Sequence, residues 1–347
     1  MEKMRAIMKL EPGPGAVLGE LPLPKPGPGE VLVKTEMMAI CGTDVHFYEW
    51  NKWAETINVR WPMVLGHEFT GTVVEIGPGV RGVQIGDTVS GETHIPCGNC
   101  YHCLNGEQHI CSNLITFGMQ TPGCFAEYAV LPEVCAVKVD KGIDPAVRAN
   151  FEPLGVAVHA VDKAGVGGNT VAIIGCGPIG LFSAAVARAL GAARIFASDI
   201  SAYRLDLARK IGVDYTLNPK ETDLTEFVRA HTPFGVGVDV LLETSGNADA
   251  FMAGFRYLRK GGRVVAVGLA SKPLQLEVGR DIAWKEATII GIHGREMFKT
   301  WQQMEKLIAG GRLDITPLLT HTFQLKDYKE ALETALSGQA GKVLLAP

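Results

Sequence analysis

Hydrophobic and polar positions divide this chain into two stretches of different character. Up to about residue 155 the apolar residues come in short runs, with glycine, proline and polar turns between them. Residues 4–8, 31–35, 72–76, 86–89 and 125–130 read as strands. Gly77-Pro78-Gly79 reads as a tight turn, and Pro22, Pro24, Pro26 and Pro28 mark an extended, turn-rich link. Strands without long helices predict a barrel-like β domain. From about residue 156 the period changes. A helix over 158–164 leads into a buried strand at 170–174, a helix at 181–190 and a strand at 194–198. Further strands follow at 238–243, 262–268 and 287–292, with a helix over 248–258. Alternating strands and helices of this kind predict α/β architecture with a doubly wound parallel sheet. The last stretch reads as an amphipathic helix at 301–309, a strand within 314–323, a helix at 326–337 and a strand at 342–345. This tail is expected to return to the first domain. The predicted division is 1–155 with 298–347, and 156–297.

Composition narrows the class. The 347 residues are 47% hydrophobic and 20% charged, which suits two globular cores. A formal net charge of −4 without a long basic run speaks against a nucleic-acid or anionic-membrane surface. No apolar run reaches about 18 residues and no signal-peptide core is visible, so a soluble cytoplasmic protein is expected. Four of the eight cysteines crowd into 97–111 at metal-binding spacing, which favours a reducing compartment over a disulfide framework.

The chemistry gathers in residues 41–71. Cys41-Gly-Thr43-Asp-Val-His46 opens this stretch and Gly66-His67-Glu68 closes it. One thiolate, one imidazole and one carboxylate suit a three-ligand zinc site with a position left for substrate. Thr43 and His46 stand close enough in sequence to Cys41 to carry a proton outward. Trp50, Trp53 and Trp61 are expected to pack as ordinary aromatics or to wall a substrate pocket. Cys97, Cys100, Cys103 and Cys111 match a closed tetrahedral zinc site that staples a loop lobe, 92–113, lacking its own core. An iron–sulfur cluster is disfavoured by the seven-residue gap and the missing Cys-Pro ending. His102 and His109 are expected to be spectators in this lobe. Glu152 sits in an apolar setting before Pro153, as a helix-start carboxylate or an active-site group.

Gly175-x-Gly177-x-x-Gly180 follows a predicted strand and opens a predicted helix, and Asp199 stands at the end of the next strand. In that context the glycines form a dinucleotide fingerprint, with the pyrophosphate at the helix N-terminus and the carboxylate on the adenosine ribose. The carboxylate would repel a 2′-phosphate, so NAD is favoured over NADP, with Arg204 expected over the adenine. Gly268-Leu269 and Ile292-His293 stand at carboxyl ends of strands and are candidates for the nicotinamide side.

Taken in order, these motifs resemble the zinc-dependent medium-chain alcohol dehydrogenases across nearly the whole chain. The resemblance implies a GroES-like catalytic domain, a Rossmann coenzyme domain, NAD, and two Zn²⁺ per chain, one catalytic and one structural. It implies Cys41, His67 and Glu68 as catalytic-zinc ligands, Thr43 and His46 as the proton relay with Glu152 aiding it, and Cys97, Cys100, Cys103 and Cys111 around the structural zinc. It also implies Gly175, Gly177, Ile179, Gly180, Asp199, Arg204 and the two strand-end pairs as coenzyme contacts. Residues 46–54, 91–95 and 294–301 narrow the resemblance to the branch that oxidises the secondary hydroxyl of L-threonine with NAD, as homotetramers. Val156 stands where that branch is expected to carry Asn, and the polyol dehydrogenases of the family tend to be apolar there. A polyol or butanediol-type alcohol therefore remains the alternative substrate, and a non-catalytic NAD-binding protein a further one. Arg295 is a candidate for a substrate carboxylate or a coenzyme phosphate, or a surface ion pair.

Overall fold

The structure, a computed structural model, describes residues 2–347. It forms two compact units: the chain up to Glu152 together with Leu319–Pro347, and Pro153–Leu318. In the first unit the strand Glu30–Ala39 is the spine. It pairs antiparallel with Glu68–Ile76, Tyr128–Pro132 and Lys342–Ala346. The sheet runs on through Thr88–Gly91 and Ala136–Lys138 on one side and Leu319–Gln324 on the other. A three-stranded sheet joins Val17–Pro22, Lys3–Lys9 and Met63–Val64. Val31, Val33, Met38, Phe69, Val89, Phe125 and Leu345 are buried together in the core of this unit. Removing such side chains from water is the main favourable term that holds the sheets together.

The register of the spine strand matters for the chemistry. Ala39 lies opposite Glu68 on one neighbour and Leu344 on the other. The strand ends there, so Cys41 emerges beside His67 and Glu68. Gly66 sets the approach to His67: its φ is +89°, and a Cβ would sit 2.1 Å from the Phe125 ring. Only glycine meets both conditions.

The second unit is a six-stranded parallel sheet. Its order is Tyr215–Leu217, Arg194–Ser198, Thr170–Ile174, Val238–Glu243, Leu258–Ala266 and Thr288–Gly291. In order of appearance this is 3-2-1-4-5-6, the dinucleotide-binding arrangement, with its switch point beside the first strand.

Several sequence expectations shift. The return to the first unit comes at Leu319, not at 298. The helix Lys299–Ala309 stays in the second unit, where Lys299 Nζ lies 2.9 Å from Asp162 and Trp301 and Met304 are buried. The helix expected from 158 starts at Phe151. Pro153 is no obstacle, because first-turn N–H groups have no intrahelical acceptor to lose. The strand Val17–Pro22 and the helices Ala202–Lys210 and Leu224–Ala230 add to the elements that the hydrophobic pattern predicts. The last two start at Ser201 and Asp223, side chains that accept N–H groups of their first turns.

Candidate functional site

Cys41, His67 and Glu68 offer ligand atoms that all lie within 4.8 Å of one another. Cys41 sits just before the helix Gly42–Glu49, whose first turn folds back on it: Asp44 accepts the Cys41 N–H at 2.9 Å. The other oxygen of Asp44 lies 3.5 Å from His67 Nδ1. That carboxylate beside Nδ1 favours the tautomer protonated there, with its lone pair on Nε2, the form that binds zinc. Burial opposes charge on His67, but Asp44 and Cys41 outweigh it and raise the pKa well above the usual value. Burial raises Glu68 as well, against the pull of Lys342. Lys342 is itself buried. It donates to the Glu68 carboxylate and, at 2.7 Å, to the carbonyl of Ile40, next to Cys41. Glu68 Oε1 is buried without a hydrogen-bond partner. A thiolate, an imidazole lone pair and an orphaned carboxylate oxygen at one point fit Zn²⁺.

Glu152 stands beside this group but outside it. Its Oε1 accepts from the Thr93 hydroxyl at 2.8 Å, and the same hydroxyl reaches the His67 carbonyl at 3.4 Å. Thr43 and His46 lie on the helix Gly42–Glu49, three residues apart and so on neighbouring positions of its surface. His46 is exposed, and its Nδ1 is 2.7 Å from the Asn51 amide nitrogen. The tryptophans pack as aromatics: Trp50 against Trp61 at 5.4 Å, and Trp53 against Phe47 and His46 at 5.5 Å.

Cys97, Cys100, Cys103 and Cys111 converge within 4.8 Å, all as free thiols. Backbone N–H groups of Cys103 and Ser112 pull Cys100 down to about 5, while burial and Cys100 push Cys103 up to about 12. Closely set sulfurs cannot all give up their protons unless a cation neutralises the thiolates, and four sulfurs in this cage suit a structural zinc. His102 faces Glu107 at 3.0 Å, and neither it nor His109 belongs to the sulfur group.

In the second unit the coenzyme candidates line the carboxyl edge of the sheet. Gly175 follows the first strand, and Gly177 caps the helix Pro178–Ala189. A Cβ on Gly180 would fall 1.9 Å from the Gly175 carbonyl, whereas one on Gly177 would meet nothing within 4 Å. One glycine thus closes the turn and the other leaves room for a ligand. Asp199 accepts N–H groups from Cys176 at 2.7 Å and Ser201 at 2.8 Å, which fixes it against the glycine turn. Arg204 Nε is buried without a partner. Gly268, Leu269, Ile292 and His293 follow the fifth and sixth strands of the sheet. An open cradle, an anchored carboxylate and an orphaned guanidinium donor fit a dinucleotide.

The sequence reading missed Asp44, Thr93, Asn51 and Lys342. Asp44 had a local signal, an acid three residues past the residue that precedes a helix. Lys342 had none, because its partners at 40 and 68 lie far away in the chain.

Residues 27–141 match the alcohol dehydrogenase GroES-like domain and residues 178–310 the zinc-binding dehydrogenase model. The chain belongs to the zinc-binding alcohol dehydrogenases. Among its relatives, the L-threonine 3-dehydrogenase of Pyrococcus horikoshii is 46% identical over 99% of this chain and 98% of its own. That of Bacillus subtilis is 42% identical over 99% of both. Two solved structures are also similar. A zinc-binding dehydrogenase of Sinorhizobium meliloti, bound to NADP, covers 100% of both chains at 31% identity and a TM-score of 0.91. The 2R,3R-butanediol dehydrogenase of Bacillus subtilis covers 99% of both at 27% and 0.89.

Proposed function

We propose that this chain oxidises the secondary hydroxyl of L-threonine to L-2-amino-3-oxobutanoate with NAD. The meeting of Cys41, His67 and Glu68 carries the chemistry, and full-length identity to L-threonine 3-dehydrogenases supports the substrate. Cys41, His67 and Glu68 would hold Zn²⁺, which would supply a Lewis acid for the hydroxyl, and NAD would supply the hydride acceptor. Thr43 and His46 then lead the hydroxyl proton outward, and exposed His46 hands it to water. Glu152, held by the Thr93 hydroxyl, is a carboxylate that aids this transfer. Asp199 favours NAD by repelling a 2′-phosphate.

Assembly as a homotetramer in the cytoplasm belongs to the same reading. In its support, Thr288–Gly291 ends its sheet with a strand neighbour on one side, and Val278, Trp284 and Ile289 in that region are exposed. Light scattering on the purified chain tests it. The second reading is a butanediol- or polyol-type dehydrogenase, favoured by Val156 on the helix Phe151–Ala164 and by likeness to the butanediol enzyme. NADH formation from L-threonine, sorbitol and 2,3-butanediol separates the two. A kcat/KM for L-threonine below that for either alcohol would transfer the assignment.

A further inference from the structure

His46 is held from several sides. Its carbonyl accepts the N–H groups of Trp50 and, at 3.3 Å, Asn51. Its ring packs against Trp53, and its Nδ1 meets the Asn51 amide nitrogen at 2.7 Å. Ordinarily an Asn side chain can turn over and exchange its oxygen for its nitrogen. Asn51 has no such freedom. Its Oδ1 caps the helix Lys52–Glu55, accepting from Trp53 N–H at 3.1 Å and Ala54 N–H at 3.2 Å. Turning the amide over would set its NH₂ against two N–H donors. The group facing His46 is therefore the NH₂, which only donates. Nδ1 must accept, and the ring proton of neutral His46 sits on Nε2.

We propose that Asn51 is a positioning residue for His46, pinning it as the Nε2–H tautomer and opposing proton uptake until its amide lets go. The functional half rests on the relay reading of His46. A proton leaving the substrate hydroxyl has two ways onto the ring. Uptake at Nδ1 displaces the Asn51 amide directly. Uptake at Nε2 first requires the ring proton to move to Nδ1, where it again meets the NH₂. By either way the imidazole gains one proton and later gives one to water, and the Asn51 contact must break first.

Asn51→Asp isolates this role, since Asp caps a helix as well as Asn but presents an acceptor where the amide donates. The test uses the zinc-loaded full chain, ¹⁵N-labelled at histidine, with the His46 signals assigned by their loss in His46→Gln. At a pH where the ring is neutral, wild type is expected to show Nδ1 bare and Nε2 protonated, and Asn51→Asp the reverse. Asn51→Ser, which keeps a capping oxygen without an NH₂, is expected to show both tautomers. A protonated Nδ1 in wild type, or one tautomer in all three proteins, overturns the assignment. In turnover with NAD at neutral pH, Asn51→Asp is expected to raise kcat by about twofold to tenfold, the range of one hydrogen bond, with KM for NAD unchanged. A switched tautomer with unchanged kcat overturns the brake. If His46→Gln turns over as fast as wild type, the relay reading fails instead, and the tautomer assignment stands.

Discussion

Lys342 is the strongest test of how the first unit supports its metal ligands. Its ammonium is buried and bonded to both the Glu68 carboxylate and the Ile40 carbonyl. Burial lowers its pKa, but Glu68, Cys41 and Asp44 outweigh this and raise it. A raised folded-state pKa means that the stabilisation is fully present at neutral pH and is lost only as pH climbs through that value. Lys342→Met keeps the volume and removes the charge, leaving Glu68 buried without its lysine counterion. Breaking one side of a buried pair costs about 3–5 kcal/mol. For a unit of roughly 180 residues, each kcal/mol moves Tm by about 2–4 °C, so a fall of about 6–20 °C is expected. The fall should be largest in zinc-stripped protein, because metal charge offsets part of the loss. Melting curves of the stripped and zinc-loaded forms, with metal content measured in parallel, make the comparison. A fall below about 2 °C in the stripped form, or equal falls in both forms, would refute the reasoning.

Other consequences are as specific. Burial pushes Glu296 up, but hydrogen bonds from Lys163 and Lys299 outweigh it and hold its pKa at about 2. Its stabilisation is present above about pH 4.3 and lost as pH falls through about 2, so Glu296→Gln should lose less stability than wild type between these limits. Urea midpoints at the two ends measure this, and equal losses would count against it. Cys100→Ser should release one zinc per chain and lower the melting temperature together; an unaltered melting curve with that zinc gone would remove the structural role. Asp199→Gly should weaken NAD and narrow its advantage over NADP, both read from KM values, and unchanged discrimination would mean that the carboxylate does not face the ribose. Thr43→Ala should lower kcat while zinc content holds, and normal turnover would take Thr43 out of the relay.

Much of this protein could be read along the chain. The cysteine spacing at 97–111, the Gly66-His67-Glu68 triplet and the strand-turn-helix around Gly175 are local patterns. Each works through backbone geometry within a few residues, which is why a linear reading reached them. The parallel sheet was equally legible, since Thr170–Ile174 is apolar on both faces after its first residue. Folding alone decided the rest. The strand register placed Glu68 opposite Ala39, and only then did a lysine from the final strand become its counterion. The Thr93 hydroxyl found Glu152 across 59 residues. The helix Lys299–Ala309 stayed with the second unit, where Trp301 and Met304 are buried. Charges buried far apart in sequence must find one another to offset their desolvation, and such partners leave no local period or spacing to read.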